Sequence, residues 1–598
     1  MMTGERLKIC LRGTVVPKIT QLWRTLGICL LVALFCLPTN ALDPGRRISQ
    51  YAHTAWRTQD GVFSGSPIVI AQTTDGYLWI GTNIGLTRFD GVRFTSWRPP
   101  AGKRLLDSRI FSLLGARDGS LWIGTGYSIS QWKGGELFNY AQLSGRIESI
   151  VEDAEGAVWL TRTQMTDGMG PLCRIKDDLL RCYGEADGIP FPLAIRLARG
   201  RSGELWVGGY TELCRWKPGS ASTYFVSKSR RPETFASLRG IATGADGSVW
   251  AAIDRKASSM QLERYEQGKW ITRALPKVSV NNSDVTTLFV DRDNALWVGS
   301  AHHGVFRVRG DDVDHLGRTD GLSSDAVEHF YQDVEGTLWV VTSEGIDKLR
   351  DSQVISYSMR EGLSAAGASS VLASRDGAVW VGNFQALDTV RDGKLSAIRS
   401  EHGLPGRNVT TLFEDHAGRI WLGVDSGLWV YAQGVFRAVR HPDGSALGIV
   451  FAITEDINHN IWVRAGPNLD RIYDLKFRDQ LTSAQISTAY TLAANPQGGV
   501  VLGLVNGDLV QIKDGSTKTF AANEFGNTRQ IRDLMVEPDG SVWGTTLDEV
   551  ARWKDGVRRN LTTRNGLPCD GIFALVNDHQ DTFWLYSRCG SSRSKNRS

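Results

Sequence analysis

One phrase recurs along this chain, and its spacing constrains the fold more than any other feature. It reads Asp75-Gly-Tyr-Leu-Trp-Ile-Gly-Thr82, then Asp118-Gly-Ser-Leu-Trp-Ile-Gly-Thr125, and again at Asp376-Gly-Ala-Val-Trp-Val-Gly382 and Asp539-Gly-Ser-Val-Trp543. Its tryptophans fall at 79, 122, 159, 206, 250, 297, 339, 380, 421, 462, 543 and 584, and Val501 stands in for one more. The period is about 42 residues, the length of a four-stranded propeller blade. Around Trp79 the four strands are legible. Residues 68–71 are short and apolar, residues 78–81 carry the phrase, 85–89 follow, and 92–97 come after a second Asp-Gly turn. Two such turns within about 30 residues leave no room for a helix. One blade cannot cover its own Trp and third-strand Leu and Phe, so neighbouring blades must.

A second phrase links the outer strand of one blade to the inner strand of the next. It appears as Asp320-Gly-Leu322, Glu361-Gly-Leu363, His402-Gly-Leu-Pro405 and Asn565-Gly-Leu-Pro568, with variants at Asp60-Gly-Val62 and Asp187-Gly-Ile-Pro190. A fixed Gly followed by an apolar residue predicts a tight bend pinned by one buried side chain. Thirteen repeats exceed a single ring, since propellers hold about four to eight blades. The fold class expected is all-β, as two tandem propellers of roughly seven blades, the second incomplete at its C-terminal end. Residues 48–57 resemble an outer strand without partners and are placed to complete a blade that lacks one. The boundaries expected are 1–41 signal peptide, 42–355 first propeller, 356–590 second propeller and 591–598 a polar tail outside it.

The first forty residues differ from the rest. Arg6, Lys8, Arg12, Lys18 and Arg24 precede an apolar run at 26–37, and Pro38-Thr-Asn-Ala41 offers a small-residue cleavage site after Ala41. This is the pattern of a secretory signal peptide, so a periplasmic location is expected, with membrane attachment only through this segment if it is uncleaved. Residues 1–42 carry five basic and one acidic side chain, the whole of the formal +4, leaving 63 of each sign in the remainder. A neutral β-rich chain lacks the basic excess that phosphate binding requires, and nucleic acid is excluded as a partner. Of eight cysteines, five lie beyond the leader. Cys173 and Cys182 flank a hairpin whose tip is Asp177-Asp178, which sets them opposite each other as a candidate disulfide. Cys569 and Cys589 flank one strand pair and form a second candidate; buried free thiols are the alternative for both pairs. Cys214 is then expected in the core.

The joint occurrence of Asp-Gly-x-Leu-Trp-Ile-Gly-Thr, Gly85-Leu-Thr-Arg-Phe-Asp-Gly91 and the Asp-Gly-Leu linkers resembles the two-component regulator propeller family over residues 45–590. Members are periplasmic sensor regions of bacterial hybrid or sensor histidine kinases, sometimes of diguanylate cyclases. The resemblance implies two seven-bladed propellers that sense a ligand. It also implies a following immunoglobulin-like domain, a membrane helix and a signalling module, of which this sequence carries no motif. Cys569 and Cys589 with Trp584-Leu-Tyr586 resemble the end of the family's second propeller.

No Gly-x-Ser-x-Gly, His-Glu-x-x-His or local Cys/His ligand spacing is present, so no catalytic residue, cofactor or metal site is expected. The sensor reading expects a glycan or other small ligand, with a signalling partner or a dimer mate. An exported polysaccharide or streptogramin-type lyase and a protein-docking scaffold are the alternatives. Contact residues should break the repeat, because repeat positions are occupied with packing. Tyr127, Arg162, Tyr210, His302, His303 and Arg464 do so just after second strands, and are the candidate ligand contacts on one common rim.

Overall fold

Each repeat forms one antiparallel sheet whose strands lie side by side in chain order. The computed structural model describes residues 42–598 apart from 221, 227–237, 254–260, 276–283, 353–354, 521–529, 556, 565, 568, 578–581 and 596–598. The expected signal peptide therefore lies outside the described residues. The chain divides into two compact units, Met1–Ser356 and Tyr357–Ser598. No helix among the described residues is long and apolar enough to cross a membrane.

Among its described residues the first unit holds seven four-stranded sheets. Six are built from consecutive strands. The seventh has the order Ala52–Arg57, Gly345–Arg350, Leu338–Thr342, Val327–Gln332, so the strand nearest the N-terminus completes the last repeat. Residues 52–57 pair antiparallel with 345–350 in unbroken register. Trp56 stacks on Trp339 at 5.8 Å between ring centroids and packs against Phe89 of the first sheet. Inner strands contact their neighbours all the way round, Val327–Gln332 meeting Pro67–Gln72, so the unit is a closed ring about a central channel.

Among its described residues the second unit holds five four-stranded sheets and one of three strands. Val371 on its first inner strand is 62% exposed, whereas Ile70 at the matching place in the first unit is 1% exposed. The last sheet corrects the expectation of a tail over 591–595, while residues 596–598 lie outside the described residues. Gly590–Lys595 is a strand, paired with Thr582–Ser587 from Lys595 opposite Thr582 to Gly590 opposite Ser587. An edge strand needs only backbone hydrogen bonds, so polar Ser591-Ser-Arg-Ser594 can serve where an apolar strand was demanded.

The recurring phrase has a specific anatomy. The indole N–H of Trp159, Trp297, Trp339, Trp421 and Trp462 donates to the aspartate six residues earlier, at 2.7–2.8 Å. The same carboxylates accept turn amides; Asp415 takes those of Ala417 and Arg419 at 3.0 and 2.9 Å. Burial alone would raise the Asp415 pKa, but the bonds from Trp421 and Arg419 outweigh it and hold the carboxyl below its ordinary value. The Gly two residues after the Trp exists for close approach. A side-chain carbon at Gly81 would lie 2.6 Å from Cγ2 of Ile110, which opens the next inner strand, and one at Gly299 would lie 2.7 Å from Val327. In the linkers, Arg318–Asp320 is a single 3-10 turn stopped by Gly321 at φ 109°, followed by Leu322 at 0% exposure. Cys173 faces Cys182 across the hairpin and is bonded to it, Cys569 is bonded to Cys589, and Cys214 is a buried free thiol.

Candidate functional site

Inner strands of the first unit share an irregularity that builds the channel wall. Register shifts interrupt them between Pro67 and Val69, Ile110 and Ser112, Ile147 and Ser149, Leu238 and Gly240, Val285 and Thr287, and Val327 and His329. A bulge re-aims the residue it leaves unpaired. The residues so released, Ile68, Phe111, Glu148, Arg239, Thr286 and Glu328, all line a channel cavity of 890 Å³. Arg109, Arg146, Arg196 and Tyr210 join them.

Four guanidinium groups against two carboxylates make this mouth electropositive. Arg146 pairs with Glu148 at 3.0 Å. Arg196 donates to the carbonyl oxygens of Arg239, on the adjacent sheet, at 3.0 Å, and Thr286, on the sheet beyond, at 3.3 Å. Burial lowers the Arg196 pKa, Glu148 works against that, and the Arg146 and Arg239 charges add to it. Glu328 is exposed on the channel wall, and the protein atoms crowded around it raise its carboxyl while Arg109 pulls it back. His329 is pushed down to about 4 by burial, with Arg196 contributing, so it is a neutral imidazole at physiological pH.

At the outer end the channel opens into a groove of 420 Å³ between the second and third sheets, lined by Asp107, Arg109, Phe111, Tyr127, Arg146 and Thr166 among others. Phe111 carries two guanidinium groups, Arg109 at 4.8 Å and Arg146 at 4.2 Å from its ring centroid. This geometry holds two positive forks at fixed spacing beside an apolar face, with Tyr127 and Tyr210 exposed at 69% and 58%.

The six candidate contacts divide. Tyr127 lies in the groove and Tyr210 at the channel mouth. His302 and His303 sit on the turn after Leu296–Ser300, both rings turned to Asp284, at 2.7 and 2.6 Å. Arg162 and Arg464 correct the sequence reading, because both lie inside second strands and are buried, at 0% and 3% exposure. The Arg162 guanidinium binds both oxygens of Asp167 and donates to the carbonyls of Ser144, at 2.7 Å, and Gly170, at 3.0 Å. Arg464 donates to the carbonyls of Gly466 and Ser487, the latter at 2.8 Å. These charges are committed to loop carbonyls and, for Arg162, to Asp167, so they brace loops instead of facing solvent. Sequence reasoning missed Arg109, Arg146, Arg196 and Arg239. Their signal was an arginine at the start of several inner strands, where the repeat otherwise places apolar or small residues.

The two component regulator propeller family matches at residues 104–127, 279–302 and 403–426. Among solved structures, the chain is similar to the extracellular domain of BT3049 from B. thetaiotaomicron, described as a hybrid two component system. Identity is 17%, TM-score 0.65, over 91% of this chain and 77% of that one. At that identity the likeness is one of fold. Virginiamycin B lyase from Staphylococcus aureus is 18% identical over 50% of this chain and 99% of its own, with a TM-score of 0.41, too low to bear on chemistry. No curated protein matches the chain. Three segments, spread over both units, are thus repeats of the two component regulator propeller type, in a chain whose described residues form an all-β fold.

Proposed function

We propose that this chain is the exported, periplasmic ligand-sensing region of a two-component signalling receptor, and that its ligand is a small acidic glycan or a comparable carboxylate-bearing molecule. The observation that carries this reading is the channel mouth of the first unit, where Arg109 and Arg146 both lie over the Phe111 ring in a cavity that Arg239 and Tyr210 also line. Arginine forks bind carboxylates with paired hydrogen bonds, while Phe and Tyr faces take the apolar side of a sugar ring. An 890 Å³ cavity has room for a di- or trisaccharide, within the usual range for small-molecule sites. Neutral His329 and the raised carboxyl of Glu328 are wall groups, with Arg196 tied to carbonyl oxygens beside them.

Titration calorimetry with a panel of neutral and uronic-acid-containing oligosaccharides tests the reading. Acidic members should bind and neutral analogues should not. Arg146→Ala and Arg239→Ala should each weaken binding by about tenfold or more, the cost of one lost charged contact of about 1.4–3 kcal/mol. Equal affinity of parent and variants for every ligand refutes the channel site, and turnover of any ligand makes the chain an enzyme.

A further inference from the structure

In the second unit, two histidines one repeat apart converge on one carboxylate. His416 lies in the turn between Val409–Glu414 and Ile420–Val424, and His459 in the matching turn between Val450–Glu455 and Ile461–Ala465. Glu455 ends the inner strand of the second of these sheets.

Elsewhere this position is an arginine clasp between sheets. Arg117, five residues before Trp122, pairs with Glu152 at 3.2 Å, and its backbone amide donates to the same carboxylate at 3.0 Å. Arg375, five before Trp380, pairs likewise with Glu414, at 3.4 Å and 2.9 Å. Both guanidinium groups reach on to turn carbonyls of the next sheet. His416 occupies the corresponding place before Trp421. Its amide still donates to Glu455, at 2.7 Å, but an imidazole Nδ1 replaces the guanidinium against Oε1. The arginine's reach is lost, and His459 Nδ1 fills the space, 3.2 Å from the same oxygen. His459 stands three residues before Trp462, where Gly119, Gly156, Gly377 and Gly418 stand in other repeats. Its φ is +61°, a conformation glycine adopts freely and histidine holds at a cost.

The two rings lie 3.9 Å apart, half exposed, over a Glu455 that is only 11% exposed. One ligand atom from each of the three residues falls within 4.8 Å of the others. Four-coordinate zinc with ligands at 2.0–2.2 Å separates them by roughly 3.4 Å, so small side-chain rotations close the set. Two imidazoles and a carboxylate are the donors that borderline divalent cations prefer, and three protein ligands leave a coordination position for water or a ligand group. The second oxygen of Glu455, held by the His416 amide, fixes the carboxylate's orientation.

We propose that His416, Glu455 and His459 form a binding site for a divalent transition cation of the zinc type, joining two adjacent sheets of the second unit. This site is independent of the channel of the first unit.

The repeat itself supplies the controls. His416→Arg restores the clasp seen at Arg117 and Arg375, and His459→Gly restores the residue suited to positive φ, so both variants should fold. The full chain is titrated with Zn²⁺ by calorimetry and with Co²⁺ by visible absorption, against the double variant as background. The expected result is one site above background, with a Co²⁺ ligand-field band, weakened at least about tenfold in each single variant. Zn²⁺ should also raise the Tm of the parent and not of the double variant. No site above background, or equal affinity in parent and variants, overturns the proposal.

Discussion

Replacing Arg162 by Ala separates a brace from a ligand contact. The side chain is 0% exposed, and its guanidinium is spent on Asp167, the Ser144 carbonyl and the Gly170 carbonyl. Truncation strands two part-buried carbonyl oxygens and a carboxylate left with the amides of Ser144 and Met169, at 2.7 and 2.9 Å, and the Ser144 hydroxyl, at 3.0 Å. Removing one partner of a buried ion pair costs about 3–5 kcal/mol. With an m-value of about 3 kcal/mol per molar urea, the unfolding midpoint falls by about 1–1.7 M. Asp167→Ala added to Arg162→Ala removes the stranded charge, so the double variant should be less destabilised than the sum of the singles by about 1–3 kcal/mol. Burial would raise the Asp167 pKa, but the bond from Arg162 outweighs it and holds the carboxyl well below its ordinary value. The pair's contribution is therefore present above about pH 4 and is lost as the pH falls through the folded value. Urea unfolding followed by tryptophan fluorescence at pH 7 and pH 3 reads all three effects. A loss below about 1 kcal/mol with a selective loss of ligand affinity would refute the assignment and return Arg162 to the binding surface.

Three further expectations follow from the same contacts. Asp415→Asn leaves the turn amides an acceptor but turns an amide donor toward Trp421 and Arg419, and should cost on the order of 1–3 kcal/mol at pH 7. Because the Asp415 pKa is depressed in the fold, denaturation midpoints of parent and variant should converge as the pH drops below about 4. Cys173→Ser with Cys182→Ser opens a link of sequence separation 9 and should lower stability by about 2.5 kcal/mol more under oxidising conditions than in reductant. The raised carboxyl of Glu328 takes up its proton before an ordinary glutamate does as pH falls, which makes the channel more positive. Affinity for an acidic ligand should therefore rise as the pH is lowered from 7 toward 5, and Glu328→Gln should flatten that dependence.

The repeat was legible because it is written in packing. Trp, the Gly that admits Ile110, and the linker Leu322 each answer a constraint that recurs with every sheet. The spare strand was legible for the same reason, as an element lacking its partners at 48–57, of which 52–57 pairs and 48–50 forms a 3-10 turn. The deeper role of Asp415 and its equivalents was not, since a carboxylate six residues before a Trp looks like ordinary turn chemistry until the indole is seen to reach it. Charge off the repeat pattern proved ambiguous. Arg162 and Arg464 are as irregular in sequence as Arg146 and Arg239, and only burial separates braces from wall. The channel residues owe their direction to a bulge, which simple alternation along a strand does not anticipate. His416 and His459 escaped because their spacing is that of the repeat, not of any local metal motif.

The most direct test of ligand sensing is hydrogen exchange of the chain with and without a bound acidic oligosaccharide, read residue by residue. Protection confined to the inner-strand starts at 109–112, 146–149 and 238–240, with the groove turn at 126–127, is the predicted result. Protection confined to any other part of the chain, with these segments unchanged, would contradict it.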